Sequence, residues 1–208
     1  MPKDTQPFLL SDAAMKAASY STYENFQPQL SIGPTELQTW KQRIIRFQTQ
    51  LRAAPTPQQG SLFSTAEPTP KKPTEQAATL DPFSLRRQNT EFWRWQFDDV
   101  GVAAMYFVID YALPARPLLL YIGETVKSNQ RWKGVHDCKR YLTNYRQSHY
   151  ENGLESELAI AFWPHAPEER KARQQLEGQL IYKWRSPFNK ENWRYWNTPF
   201  VSGKETKE

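Results

Sequence analysis

Apolar positions along the chain fall into two regimes. Between Pro34 and Ala53 they keep helical spacing: Leu37, Trp40, Ile44, Phe47 and Leu51 follow one another by three or four residues, with Lys41, Arg43, Arg46 and Arg52 at other positions. An amphipathic helix over about residues 35–53 is predicted. Nothing close in sequence offers its apolar stripe a partner, so it docks on a later segment or binds another chain. Residues 54–90 lose the pattern; they are rich in Pro, Thr, Gln and Ser. Too few apolar residues remain to offset an ordering entropy of about 1–2 kcal/mol per residue, and a disordered linker is expected. Residues 1–33 hold one short helical candidate, Ser11 to Ala18, with Ser11 as N-cap.

Beyond Thr90 the signals alternate densely. Trp93, Trp95 and Phe97 stand at period two within Glu91–Phe97, a strand or its lead-in. Gly101–Tyr111 and Pro117–Gly123 read as two strands of a hairpin, turned by Ala112–Arg116 with Pro114; Glu157–Trp163 reads as a third strand. Ser128 to about Arg146 is predicted helical, with a break near Gly134. Pro167–Trp184 is predicted as a long helix whose first turn holds Pro167, Glu168 and Glu169, as the helix macrodipole favours. An aromatic tail follows (Trp193, Tyr195, Trp196, Phe200). The fold class is α+β: a small three-stranded β-sheet flanked by helices. The domain spans 91–200, preceded by an N-terminal segment (1–53) and the linker (54–90), and followed by a charged tail (201–208).

Composition sharpens this division. Six of the 16 prolines lie between Pro55 and Pro82, and six of the eight glycines follow residue 100, so the tether and the domain differ in kind. No apolar run approaches the roughly 18–20 residues needed to cross a bilayer, and Met1-Pro2-Lys3-Asp4 does not open a signal peptide. A soluble, cytoplasmic protein is expected. The single cysteine, Cys138, excludes an internal disulfide, and with His136, His149 and His165 it makes no paired zinc-ligand spacing. The net charge of +5 says less than its placement. Lys127, Arg131, Lys133, Lys139, Arg140 and Arg146 stand against the one acid Asp137, interleaved with Trp132, Tyr141 and Tyr145. Such a surface suits a phosphate backbone.

Several polar residues are not what a core requires: Tyr106 and Tyr121 on the hairpin, Arg131, Glu177 in the long helix, and Asn189. Together they resemble the GIY-YIG nuclease superfamily. Tyr121-Ile122-Gly123 is a literal YIG after Leu118-Leu119-Leu120, and Ala104-Met105-Tyr106 takes the GIY place. Arg131 follows the YIG tyrosine by ten residues, the spacing of the family arginine. Glu177, Leu180-Ile181 and Pro187-Phe188-Asn189 match the family's glutamate, Leu-Ile and Pro-x-Asn block, with twelve residues from Glu to Asn as in the bacterial excision-repair incision nucleases. The resemblance covers about Gly101–Asn189. The chain departs from the pattern in Ala104, in the fifteen-residue separation of the two tyrosines, and in Val135 where many members carry His or Tyr, with His136 one residue later.

The resemblance implies a metal-dependent DNA endonuclease of repair, recombination or replication-associated processing. It implies one Mg²⁺ or Mn²⁺ on Glu177, a hard oxygen ligand for a hard cation. Arg131 would clamp phosphate oxygens, Tyr121 or Tyr106 would deprotonate or orient water, Asn189 would hold the site by hydrogen bonds, and His136 would be the auxiliary residue. A tyrosine acts as base near neutrality only if positive charge lowers its pKa; Lys127, Arg131, Lys133 and the metal are the expected sources. Lys127, Lys133, Lys139 and Arg140 would contact DNA. A nucleic-acid-binding or interaction module on the same fold, with cleavage lost, is the alternative, and charge does not separate DNA from RNA. In the linker, Gln59-Gly60-Ser61-Leu62-Phe63 resembles the pentapeptide by which bacterial repair and replication proteins dock on the sliding clamp, with Gln59, Leu62 and Phe63 as anchors.

Overall fold

The structure, a computed structural model, describes residues 32–53, 72–89, 102–126 and 137–201. All of them lie in one compact unit, Ile32–Ser202. The Ser11–Ala18 helix, the Glu91–Phe97 strand, the Gln59–Phe63 motif and the start of the helix expected from Ser128 fall outside these residues.

Strand β2 (Ala104–Asp110) is the centre of the sheet. It is antiparallel to β3 (Leu118–Thr125) on one side and to β4 (Leu158–Trp163) on the other. Every β2 residue is buried, because helices cover both faces; that is why its sequence is an unbroken apolar run instead of an alternating one. The β2–β3 pairing shifts register between Val108 and Ile109, so β3 carries one extra residue, Leu120, and bends locally.

The sheet has a fourth strand that the sequence reading lacked. Residues expected to be disordered form α2 (Pro73–Thr79), a 3₁₀ turn (Pro82–Ser84) and β1 (Arg87–Asn89), which pairs antiparallel to β4 and gives the order β1-β4-β2-β3. The expected linker boundary at residue 90, and the domain start at 91, are therefore corrected. The physical reason lies far away in sequence. Ala77 and Leu80 join the core made by Met105, Phe107, Ile109, Leu119 and Ile122 with Leu176, Leu180, Ile181 and Trp184 of α4 (Arg170–Trp184). Lys183 donates to the carbonyls of Ala77 and Ala78 at 2.9 and 2.8 Å, which satisfies acceptors at the C-terminal end of α2. A few apolar residues suffice when the core they complete is already built.

Helix α1 (Pro34–Ala53) has the expected bounds within a residue, and its stripe docks on the sheet unit. The helix therefore belongs with the domain. One residue of its buried face is polar: Gln48, 1% exposed. Its carboxamide accepts from Leu119 N–H at 2.9 Å and donates to Leu119 C=O at 3.0 Å, taking the place of a neighbouring strand on the open edge of β3. The aromatic tail packs on the same helix, with Trp40–Phe200 and Phe47–Trp196 rings 5.4 and 5.8 Å apart. Helix α3 (Asp137–Glu151) extends past the expected end at Arg146. Short helix α5 (Trp193–Trp196) is the last helix among the described residues.

A buried polar cluster ties α1, β2 and α3 together. Lys41 Nζ donates to Asp110 at 2.9 Å and to His149 Nε2 at 3.0 Å, and Tyr145 Oη donates to Asp110 at 2.6 Å. Backbone N–H groups of Ala112 and Glu157 also donate to Asp110, at 2.9 and 2.8 Å. No helix among the described residues is long and apolar enough to cross a membrane.

Candidate active site

The hairpin brings the two tyrosines together. Tyr106 pairs with Gly123 and Val108 with Tyr121, and paired residues share a face, so both phenols stand on one side of the sheet as diagonal neighbours. Their ring centroids are 5.9 Å apart at 33°, and the phenols are hydrogen bonded. Phe162 on β4 flanks Tyr106 with a centroid distance of 6.1 Å. Tyr106 is fully buried, whereas Tyr121 is only partly so. Of the two, Tyr121 is the one that solvent reaches.

Gly123 makes this possible. A Cβ on it would overlap Cζ and Oη of Tyr106. The glycine of the YIG triplet is needed here for room, which the sequence reading did not identify.

Burial pushes the Tyr121 phenol well above its ordinary pKa, and Tyr106, Cys138 and the Glu177 carboxylate act in the same direction. The lowering expected from Lys127, Arg131 and Lys133 would have to come from residues outside the described segments. The described surroundings favour a neutral phenol. They also show that Glu177 lies within electrostatic reach of Tyr121, although the two stand on different elements.

Glu177 sits on α4 beside the buried stripe Leu176, Leu180 and Ile181 and is itself half-buried. One turn earlier Arg173 is 2% exposed and pairs with Glu124, the residue after Gly123. Its Nη1 also donates to the carbonyls of Pro167 and Glu168 at 3.0 and 2.8 Å. Arg173 thus links the first turn of α4 to β3 immediately after YIG. This pair was not legible in the sequence; its signal would have been an arginine at a core position of the α4 stripe.

Asn189 does not point into an open cleft. Its Nδ2 donates to Ile122 C=O at 2.8 Å, and its Oδ1 accepts from Ile122 N–H at 3.0 Å and from Ser186 Oγ at 2.6 Å. Phe188 N–H donates to Leu120 C=O at 2.9 Å. The Pro187–Asn189 segment therefore runs along the free edge of β3 and holds the middle residue of YIG. Gln48 and Asn189 are two carboxamides doing the same work on β3, at Leu119 and Ile122, three residues apart.

Lys139 and Arg140 lie in the first turn of α3, with Arg140 over the Tyr141 ring at 5.3 Å. Cys138 is buried near Tyr121. Lys127, Arg131, Lys133 and His136, with Gln59, Leu62 and Phe63, fall outside the described residues.

Residues 114–192 match the family model of the GIY-YIG catalytic domain. This segment is a GIY-YIG domain. The match begins in the β2–β3 turn, so Tyr106 enters the site through its pairing with Gly123 and not through the matched segment. No curated protein and no solved structure matches the chain. A GIY-YIG domain carries a nuclease-type function in general, and the four-stranded antiparallel sheet with its helices agrees with that fold.

Proposed function

We propose that the GIY-YIG domain is a metal-dependent endonuclease that hydrolyses phosphodiester bonds in DNA, acting in repair, recombination or replication-associated processing inside the cell. The observation that carries this reading is the Tyr106–Tyr121 phenol pair over Gly123, with the Glu177 carboxylate in its field.

The donor set suits a hard, hydrated cation. Glu177 is a half-buried single carboxylate, and no group of three or more His, Cys, Asp or Glu forms a metal cage among the described residues. In this reading Glu177 holds one Mg²⁺ or Mn²⁺, which supplies counter-charge to the phosphate and the leaving oxygen. Tyr121, solvent-accessible and neutral in its described surroundings, orients the attacking water, and Tyr106 behind it fixes the phenol by a hydrogen bond. Arg131 stabilises charge on the non-bridging oxygens, and His136 serves as the auxiliary proton-transfer group. Lys127, Lys133, Lys139 and Arg140 bind flanking phosphates. Asn189 keeps β3 in place. Gln59, Leu62 and Phe63 dock the tether on the bacterial sliding clamp, delivering the nuclease to replicating or repaired DNA.

The test is cleavage of duplex, flap, branched and single-stranded DNA with and without Mg²⁺. Glu177→Gln and EDTA should each abolish cleavage, and Arg131→Ala should slow it by about 10²–10³-fold. Cleavage that survives EDTA sinks the mechanism; binding without cleavage across the panel identifies a binding module instead. Clamp pull-down that is equal for wild type and for Leu62→Ala with Phe63→Ala removes the docking motif.

A further inference from the structure

The surface formed by the C-terminal end of α4, by α5 and by the outer side of α1 carries an alternating run of cations and rings. Arg43 stands over Trp196 at 5.9 Å, and Trp196 meets Tyr195 edge-on at 4.7 Å. Arg185 lies over Tyr195 at 5.3 Å and over Tyr182 at 4.5 Å. Tyr182 and Tyr195 are 68% and 52% exposed, so ring area remains open to solvent. Arg46, one turn from Arg43, and Arg194, beside Tyr195, are exposed on the same elements.

Among the described residues Arg52 and Arg173 pair with carboxylates, whereas Arg43, Arg46, Arg185 and Arg194 do not. The guanidinium of Arg185 has no hydrogen-bond acceptor there either, and it lies within cation–π distance of two rings. A planar fork beside two rings, with vacant donors, matches a phosphate.

The backbone adds an independent sign. Arg185 caps α4 in the left-handed region, at φ 50° and ψ 43°, where glycine is preferred and an L side chain costs about 1–2 kcal/mol. A non-glycine residue at such a position is a reason to ask what its side chain does. The cation–π partners of Arg185 among the described residues are two exposed rings and not core side chains, so its side chain points outward to solvent.

We propose that this surface binds a nucleic-acid strand, with Arg185 on a phosphate, Arg43, Arg46 and Arg194 on its neighbours, and unpaired bases stacked on Tyr182 and Tyr195. Base faces are open to such rings only where a strand is unpaired. The proposal rests on the nuclease reading and deepens it by naming the substrate class: DNA with an unpaired segment beside the cleaved bond. Arg185 lies eight residues beyond Glu177 on one helix, about 12 Å along the axis at 1.5 Å per residue. That distance corresponds to about three or four nucleotides at 3.4 Å each.

The test is fluorescence anisotropy with the full chain in EDTA, using a short labelled single strand and a duplex of the same length. Arg185→Gly relieves the left-handed backbone, so its melting temperature should be no lower than that of wild type. It should nevertheless bind the single strand about tenfold more weakly, with the slope of log K against log salt reduced by about 0.7. Tyr182→Ala with Tyr195→Ala should weaken single-strand binding by at least about tenfold while leaving duplex affinity in place. Wild-type affinity and slope in Arg185→Gly overturn the proposal, as does equal loss for single strand and duplex in the tyrosine variant. Cleavage measured in parallel separates the two readings. Metal-dependent cleavage with unchanged binding by Arg185→Gly removes this surface alone, and no cleavage with the stated affinity losses removes the nuclease reading alone.

Discussion

Tyr106 and Gly123 face each other across β2 and β3, and the ring of the first occupies the space that a side chain on the second would need. The YIG glycine is thereby coupled to a tyrosine seventeen residues earlier in the chain. Gly123→Ala must push the Tyr106 phenol aside. Overpacking of this kind costs about 1–3 kcal/mol, and misplacing the phenol pair should lower cleavage by about 10²-fold. Urea unfolding and single-turnover cleavage check both; unchanged cleavage would show that Tyr106 does not need its position.

Asn189 and Gln48 each satisfy a buried backbone N–H and C=O on β3. Removing either side chain strands both groups, at about 1–3 kcal/mol per unsatisfied group. Asn189→Ala and Gln48→Ala should each destabilise by about 2–6 kcal/mol in urea unfolding. Only Asn189→Ala should also disturb cleavage strongly, since it releases Ile122 between Tyr121 and Gly123. A loss below about 0.5 kcal/mol in either variant would mean that water replaces the carboxamide.

The buried Arg173–Glu124 pair sets up a third expectation. Breaking a buried ion pair from one side costs about 3–5 kcal/mol, whereas replacing both partners is far milder. Arg173→Met should therefore be strongly destabilising, Glu124→Gln less so because Glu124 is partly solvated, with 22% of its side chain exposed. The double variant should be less destabilised than the sum of the two by about 1–3 kcal/mol. Additive effects in thermal or urea unfolding would show that the pair does not act as one unit.

The Lys41–Asp110–His149–Tyr145 cluster makes stability depend on pH in a defined direction. An ammonium only donates, so Lys41 requires His149 Nε2 as acceptor, and Nδ1–H then donates to Tyr145 C=O at 2.7 Å. Burial and then Lys41 lower the His149 pKa from 6.5 to about 4. For Asp110, burial alone would raise the pKa; Lys41, the Tyr145 hydroxyl and two backbone N–H groups outweigh it and hold the carboxyl below its ordinary value. Both folded values are depressed. The unfolded chain binds more protons as pH falls, so stability is lost on acidification: through His149 from about pH 6.5 down to about pH 4, and through Asp110 below about pH 4. At 1.36 kcal/mol per unit, His149 accounts for up to about 3 kcal/mol. Urea unfolding at pH 7.5 and pH 4.5 should show a smaller pH-dependent loss for His149→Gln than for wild type, by about 2 kcal/mol. Parallel pH profiles would mean that His149 is solvated and not neutralised by its neighbours.

Local periodicity already determined the α1 stripe, the hairpin, the third strand and the long helix, because each depends on side chains a few residues apart. The YIG triplet, Glu177 and Asn189 were legible for the same reason: motif spacing is local. The order of residues 73–89 was not, since Ala77 and Leu80 gain a core only from α4 and their carbonyls are met by Lys183, more than a hundred residues away. The burial of Gln48 inside an apolar stripe was not, since its partner Leu119 stands 71 residues further on. Nor was the need for Gly123, set by a ring on the neighbouring strand, or the burial of Arg173. In each case a polar or small residue is explained by a group that only the folded chain brings within hydrogen-bond or van der Waals reach. Sequence records which faces must be buried; tertiary structure decides which polar groups can afford to be.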